Sequence, residues 1–245
     1  MQKEGILVFS GYDPSGGAGI LQDIHTIRSR RIYAFGIVTA MVYENTCRVD
    51  RVFPMDIDMQ INLALEEKIR YRIFKLGLIH SRRQMESILA LAKKIRPEKI
   101  VVDPIFFSST KGTLSRLLPQ DYINFIQITD AVLIPNKEEF RILFGDRSPK
   151  DAAMSYKTDI LLKTYRISHS HVTDLLVTKS GNIVEFSHKK LDIKDIHGTG
   201  CTIASLWSAH LLNTGDLKEA YSKALSEFEK MVKNTISAGC QRIIL

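Results

Sequence analysis

The sequence predicts an α/β fold with a mostly parallel central sheet flanked by helices on both faces. Three observations predict it. Short apolar runs alternate with amphipathic stretches of helical period along the whole chain. Several of those runs close on polar or turn-forming residues: Ser10-Gly11, Glu44-Asn45, Asp103-Pro104 and Pro135-Asn136. The chain has 245 residues, 44% of them hydrophobic, which is enough to bury one sizeable core and fits one domain over 1–245.

The elements follow in order. Ile6–Ser10 reads as a buried first strand, and Ile20, Leu21, Ile24 and Ile27 mark one face of the next helix. Ile37–Val42 reads as a strand, Ile57–Tyr71 as a helix and Ile73–Leu78 as a strand. Met85, Ile88, Leu89, Ala92 and Ile95 form a helical stripe that ends at Pro97. Ile100–Asp103 and Ala131–Ile134 are short strands, the second followed by a helix from Lys137 to a stop at Gly145. Ile160–Leu162, Leu175–Thr178 and Ile183–Phe186 complete the strands, with a Ser180-Gly181-Asn182 turn joining the last two. Two helices finish the chain, Gly200–Leu212 and Leu217–Ser237. Neither an internal repeat nor a linker interrupts the pattern.

Charge and cysteine count narrow the function classes. The formal net charge is +7, but the basic pairs at Arg30-Arg31, Arg82-Arg83, Lys93-Lys94 and Lys189-Lys190 are scattered. That pattern suits solvated faces and anionic small molecules, not nucleic acid. Cys47, Cys201 and Cys240 are odd in number and widely spaced, so no disulfide framework is expected and the reducing cytoplasm is the default location. The opening apolar run is too short for a signal peptide, and no run reaches the length of a membrane span.

Two glycine clusters carry the chemistry. In the first, Ser10-Gly11-Tyr12-Asp13-Pro14-Ser15-Gly16-Gly17-Ala18-Gly19, Gly11 and Gly16 have the spacing of a Walker A loop. The Lys and Ser or Thr that should follow are replaced by Gly17 and Ala18, and the dinucleotide-binding spacing fails as well. The second, Asp195-Ile196-His197-Gly198-Thr199-Gly200-Cys201-Thr202, leads into a helix. Free N–H groups at that helix start, aided by the helix dipole, favour an anion. The same setting should make the Cys201 thiol ionise more readily, so that it could take a proton from an attacking hydroxyl. Other readings of these residues are a small buried cysteine after a turn, a thiol hydrolase with His197 as partner, or a metal site drawing on His169 and His171. The last lacks a second cysteine pair.

Taken together, "SGYDPSGGAGILQDI" at 10–24 and "HGTGCT" at 197–202 resemble the signatures of the hydroxymethylpyrimidine/phosphomethylpyrimidine kinases, members of the ribokinase-like superfamily. Between them "TAMVYENT" (39–46), "KLGLI" (75–79), "VVDPI" (101–105), "LIPNKEEF" (133–140) and "ILLK" (160–163) recur in family order, so the resemblance spans about residues 5–235. It implies a ribokinase-like three-layer α/β/α fold, transfer of the ATP γ-phosphoryl group with Mg²⁺, and commonly two successive phosphorylations of the pyrimidine in thiamine biosynthesis. It implies Cys201 as base and Gly198, Thr199 and Gly200 as an anion hole with the Cys201 amide. Asn136, Glu139 and Asp103 would organise Mg²⁺ and phosphate, mostly through water. Lys163 would contact nucleotide phosphate, and Gly11 and Glu44 would line the pyrimidine pocket. A small-molecule pyrimidine and ATP are the implied partners, with no nucleic acid or membrane, and homodimers are common in the family.

Three departures from the family pattern involve four residues. Glu44 stands where Gln is usual; ionised, it only accepts hydrogen bonds. Thr164-Tyr165 replace two glycines of a "KGGH" stretch, and Lys111 replaces a common glycine in "DPIFFSSTKGTL". The stretch between Gly145 and Lys157 is also short for the family's helix there. These departures keep open a pyridoxine- or pyridoxal-type vitamin kinase and, from another class, a non-catalytic ligand-binding protein that retains the fold.

Overall fold

The computed structural model describes residues 3–108, 110–190 and 195–245, so Ser109 of the "DPIFFSSTKGTL" stretch lies outside the described residues. The first half of the chain forms β1 (Glu4–Tyr12), α1 (Gly19–Arg28), β2 (Tyr33–Asn45), β3 (Arg48–Pro54), α2 (Asp58–Glu66), β4 (Arg70–Leu76), α3 (Arg82–Ile95), β5 (Lys99–Val102) and α4 (Pro119–Ile128). The second half forms β6 (Ala131–Leu133), α5 (Lys137–Phe144), α6 (Pro149–Tyr156), β7 (Asp159–Ile167), β8 (His171–Val177) and β9 (Ile183–Lys189). The chain ends with β10 (Ile196–His197), α7 (Thr199–Thr214), α8 (Leu217–Met231), β11 (Thr235–Ala238) and β12 (Gln241–Ile244).

Nine strands form one sheet in the order β3-β2-β1-β4-β5-β6-β7-β8-β9. The six from β2 to β7 run parallel, while β3 at one edge and β8 and β9 at the other are antiparallel. Strand alternation sends side chains into two cores, one on each face. Leu7 and Phe9 of β1 join the core under α2–α6, whereas Ile6 and Val8 join the core under α1, α7 and α8. Helix α7 is apolar nearly all round because it is covered by the sheet, α1 and α8. The expected three-layer α/β/α architecture is therefore the one observed.

Several boundaries differ from expectation, each for a local reason. The helix expected over Ile57–Tyr71 stops at Glu66; Lys68 turns with φ +54° and β4 begins at Arg70. Its apolar residues past 68 serve the strand period instead. The helix expected to run to Ser237 ends at Met231, and the remainder forms β11 and β12, which with β10 make a second, three-stranded sheet. Strand β3 is amphipathic and largely exposed, so its periodicity is weak. Helix α6 is only eight residues long, capped by Ser148 and opened by Pro149.

The expectation that the cysteines form no disulfide is overturned. Cys47 and Cys240 are bonded, their Cα atoms 5.0 Å apart although 193 residues separate them. The β2–β3 turn and the β11–β12 turn, distant in sequence, meet in space, and only Cys201 is a free thiol. Among the described residues no helix is long and apolar enough to cross a membrane.

Candidate active site

The parallel strands β1, β4, β5, β6 and β7 all end at one rim of the sheet, and the strand order reverses between β1 and β4. Such rims are where open α/β sheets bind ligands. A cavity of about 600 Å³ opens there. Its walls include Gly11, Glu44, Asp103, Asn136, Glu139, Lys163, Gly198, Thr199, Gly200 and Cys201, so every residue to which the family resemblance gave a role faces the same space, whereas His169 and His171 are not among the lining residues.

The two glycine clusters meet backbone to backbone. Gly198 has φ +78°, and a Cβ there would run into the carbonyl of Gly17. Gly19, φ +62°, is pressed in the same way against the carbonyl of Gly11. A side-chain clasp locks the contact: His197 Nε2 lies 2.8 Å from Asp13 Oδ2. Asp13 also accepts from the Ser15 amide at 2.8 Å, the Ser15 hydroxyl at 2.9 Å and the Ala18 amide at 2.9 Å. Burial pushes the Asp13 carboxyl up, but the bonds from His197 and Ser15 outweigh it and hold the group below its ordinary value. The first cluster is thus a folded support for the second.

Gly198 is the N-cap of α7, so the free amides of its first turn lie at the cavity wall. Gly200 leaves room beside them: a Cβ there would stand 3.5 Å from Lys163 Nζ and 3.7 Å from Asp103 Oδ2. Lys163 and Asp103 form an ion pair of 2.8 Å, both largely buried. Burial works against the Lys163 charge, but Asp103 and Glu139 raise its proton affinity above the ordinary lysine value. An ammonium and the positive end of a helix therefore converge on one spot, an arrangement suited to a phosphate.

Asn136 and Glu139 sit at the start of α5 as a reciprocal capping box. Asn136 Oδ1 accepts from the Glu139 amide at 2.9 Å, and Glu139 Oε2 accepts from the Asn136 amide at 2.7 Å. Burial, reinforced by Asp103, lifts the Glu139 carboxyl to about 7 despite Lys163 nearby. Among the described residues no group of three or more His, Cys, Asp or Glu side chains is placed to hold a metal ion directly. The chemistry of the donors still fits Mg²⁺, which keeps several waters and takes one or two carboxylates plus substrate phosphates. Asp103 and Glu139 are two such carboxylates on the cavity wall.

Cys201 corrects one expectation. It is buried, and burial pushes its thiol up to about 12, although Lys75 and the Gly19 amide pull the other way. Desolvation outweighs the helix start, so the resting group is a neutral thiol. This is the opposite of an activated nucleophile, and the thiol-hydrolase reading loses its basis. Deeper, Lys75 Nζ contacts both oxygens of Asp23 at 2.8 Å in a pair with no solvent exposure. Ser205, one helical turn after Cys201, donates to Asp23 at 2.8 Å.

The ends of the cavity differ. Toward β1 and β2 lie Val42, Leu78 and Glu44. The β2–β3 register shifts between Tyr43 and Glu44, a bulge of the kind that re-aims a side chain, and Glu44 lines the cavity while Tyr43 stays exposed. Burial, with Asp13 nearby, raises the Glu44 carboxyl to about 7. Toward β8, β9 and α8 the wall is Ile203, Leu225 and Phe228, with Asp174, His188 and Tyr221. Asp174 accepts from the Tyr221 hydroxyl at 2.7 Å and the Thr164 amide at 2.6 Å, and pairs with His188 at 3.2 Å. Thr164 keeps a left-handed φ of +54° where glycine would be comfortable, and Asp174 holds that backbone in place. Lys111 is exposed at the cavity rim.

Sequence reasoning did not single out Asp13, Asp23, Lys75, Asp174, His188 or Tyr221. Asp13 lay inside the first glycine cluster, and only the 184-residue separation to His197 hid its role. Lys75 inside an apolar strand was the one visible signal, since a lone charge in such a run must find a partner.

This three-layer α/β/α architecture, with a glycine-led helix start at the carboxyl ends of its parallel strands, is the ribokinase-like fold. Comparison with known proteins makes the assignment specific. Residues 13–244 match the phosphomethylpyrimidine kinase family, and the chain belongs to that family. A hydroxymethylpyrimidine/phosphomethylpyrimidine kinase of Aquifex aeolicus is 28% identical, the match covering 95% of this chain and 96% of that protein. Among solved structures, a pyridoxal kinase from Staphylococcus aureus in complex with AMP-PCP superposes with a TM-score of 0.84 at 22% identity, covering 100% of this chain and 94% of that one. A phosphomethylpyrimidine kinase from Clostridium difficile gives 0.76 at 24% identity, covering 94% and 100%.

Proposed function

We propose that the protein transfers the γ-phosphoryl group of ATP, with Mg²⁺, to the hydroxymethyl group of 4-amino-5-hydroxymethyl-2-methylpyrimidine and then to the resulting monophosphate. The observation that carries this reading is the order of groups along one cavity: Glu44 at one end, the Gly198–Cys201 turn with Lys163 in the middle, and the apolar wall of Leu225 and Phe228 at the other. That order suits an acceptor ring, a transferred phosphoryl group and a nucleoside in line.

Each residue then has a task. The amides of Thr199, Gly200 and Cys201 receive the charge spread over the phosphoryl oxygens, and Lys163 holds the nucleotide phosphates. Asp103 and Glu139, with Asn136, would hold Mg²⁺, and the ion would neutralise phosphate charge when bound. Cys201, once its own proton has passed to solvent, takes the proton of the acceptor hydroxyl as a thiolate. Because its thiol is held at about 12, that thiolate is a minor but strongly basic form. Glu44 reads the acceptor ring. A carboxyl near 7 is neutral in about half the molecules at neutral pH, and a neutral carboxyl both donates and accepts, as the usual Gln does. It therefore matches the adjacent amino donor and ring-nitrogen acceptor of an aminopyrimidine.

One observation favours a second reading. Ionised, the same Glu44 accepts from the phenolic hydroxyl of a vitamin B6 alcohol, and the solved pyridoxal kinases share the fold. ATP consumption measured side by side on the hydroxymethylpyrimidine, its monophosphate and the vitamin B6 alcohols separates the two. Turnover on the first pair supports the pyrimidine reading, and turnover confined to the B6 alcohols replaces it. Ligand binding by calorimetry with no ATP turnover on any of them would mark a non-catalytic binding protein.

A further inference from the structure

We propose that the Cys47–Cys240 disulfide is a reversible clasp on the acceptor end of the cavity, and that its reduction loosens the hairpin carrying Glu44 and weakens acceptor binding. The inference rests on the acceptor role given to Glu44.

The clasp joins two turns that each lead directly into the site. Cys47 lies in the turn between β2 and β3, three residues after Glu44. Cys240 lies in the turn between β11 and β12. Strand β12 pairs with β10, Arg242 against Ile196 and Ile243 against His197, and His197 runs straight into the Gly198 turn. Ile243 also reaches the first glycine cluster: a Cβ on Gly17 would stand 3.3 Å from its Cγ1. One covalent bond therefore ties the wall bearing Glu44 to the strand that backs the phosphate turn.

The contact is shaped for docking as well as bonding. The Cys240 amide donates to Thr46 Oγ1 at 3.1 Å, and Gly239, at φ +58°, leaves no room for a side chain against that hydroxyl. Asn45 Oδ1 accepts from the Cys47 and Arg48 amides at 2.9 and 3.1 Å, so the turn keeps its form by itself. The C-terminal hairpin has its own anchors: Ile244 is buried in the core, and the Leu245 amide donates to the Asn234 carbonyl at 3.0 Å. Loss of the bond therefore leaves both hairpins folded and changes only how tightly one is held to the other. Outside the clasp, β3 is an edge strand with no neighbour on its far side within the sheet, so the sheet supports this hairpin on one side only.

Both cysteines are exposed, so a dithiol reaches them. Its thiolate attacks one sulfur, the Sγ–Sγ bond breaks, and the dithiol closes to its own disulfide. Two electrons and two protons end on Cys47 and Cys240 as thiols. Cys201 takes no part.

The test uses the full chain, with ATP, Mg²⁺ and the hydroxymethylpyrimidine, in oxidised form and after dithiothreitol. The redox state is verified by mass after alkylation. Reduction is expected to raise the acceptor KM by roughly three- to tenfold, since binding must then order the hairpin, while the ATP KM stays constant. The double variant Cys47→Ser/Cys240→Ser should match the reduced protein and ignore dithiothreitol. Hydrogen–deuterium exchange gives a readout independent of turnover: amides of 44–54 and 236–244 should exchange faster in the reduced form. An unchanged acceptor KM on reduction, or a double variant that still responds to dithiothreitol, overturns the proposal. If no acceptor is turned over at all, the kinase reading itself fails, and unchanged exchange would then reject the clasp separately.

Discussion

Glu44 and Cys201 are two cavity side chains whose chemistry is shifted by burial. Glu44 is held near 7, above an ordinary glutamate, so its neutral form persists at pH 6 and is lost by pH 8. If the neutral carboxyl is the form that both donates and accepts, the acceptor KM rises as pH rises through 7. Glu44→Gln, which cannot ionise, should flatten that dependence and leave a low KM throughout; initial rates at pH 6, 7 and 8 decide it. Cys201 gives the opposite slope. Its thiolate is the base form and its thiol is held at about 12, so kcat should climb with pH between 6 and 9. Cys201→Ser should lose roughly 100-fold or more in kcat while keeping its fold, the range general-base removal gives. A serine variant with the wild-type rate and pH slope would remove Cys201 from proton transfer.

At the level of elements, the site depends on two backbone clusters pressed together more than on any single helix or strand. Gly198→Ala places a methyl group against the Gly17 carbonyl and forces a side chain into φ +78°. We expect a loss of about 2–3 kcal/mol in urea unfolding and of nearly all activity, because the Gly198–Cys201 turn cannot form in its present place. By contrast Ser81→Ala removes the cap of α3, a residue that does not line the cavity, and should cost about 1 kcal/mol with unchanged kcat. The contrast also explains what was legible in the sequence. The parallel strands β1, β4, β5 and β6 and the stripes of α1, α3 and α8 were readable because burial on one or two faces writes a clear period. The Gly198 turn was readable because glycine is required there. Strand β3 and the β11–β12 hairpin were not, since β3 is mostly exposed and the two four-residue strands of the hairpin are largely half-buried, so none writes a strong period. Nor was the Asp13–His197 clasp or the Cys47–Cys240 bond, because each depends on which distant turns meet.

For the whole molecule, the deciding feature is a fully buried charge pair at the centre of three layers. Lys75 on β4 faces the side of the sheet covered by α1 and α7, where Asp23 of α1 meets it and Ser205 of α7 donates to the same carboxylate. Gly77 makes the space: a Cβ there would stand 2.9 Å from Lys75 Nζ. Burial raises the Asp23 carboxyl even though Lys75 counters it, and Asp23 in turn raises the lysine against its own desolvation. Such a pair adds little net stability compared with apolar residues, but removing one partner strands the other without water. Lys75→Met should therefore destabilise the protein by about 3–5 kcal/mol in urea unfolding at pH 7. Asp23→Asn in the same chain leaves a neutral amide for Ser205 and should recover a large part of that loss. A double variant no more stable than Lys75→Met would mean that the layers are joined there by packing alone. Recovery of stability without recovery of kcat would assign the pair a second duty, since Lys75 is also the cation that opposes the high proton affinity of the Cys201 thiol. The buried pair then links the stability of the fold to the proton chemistry at its rim.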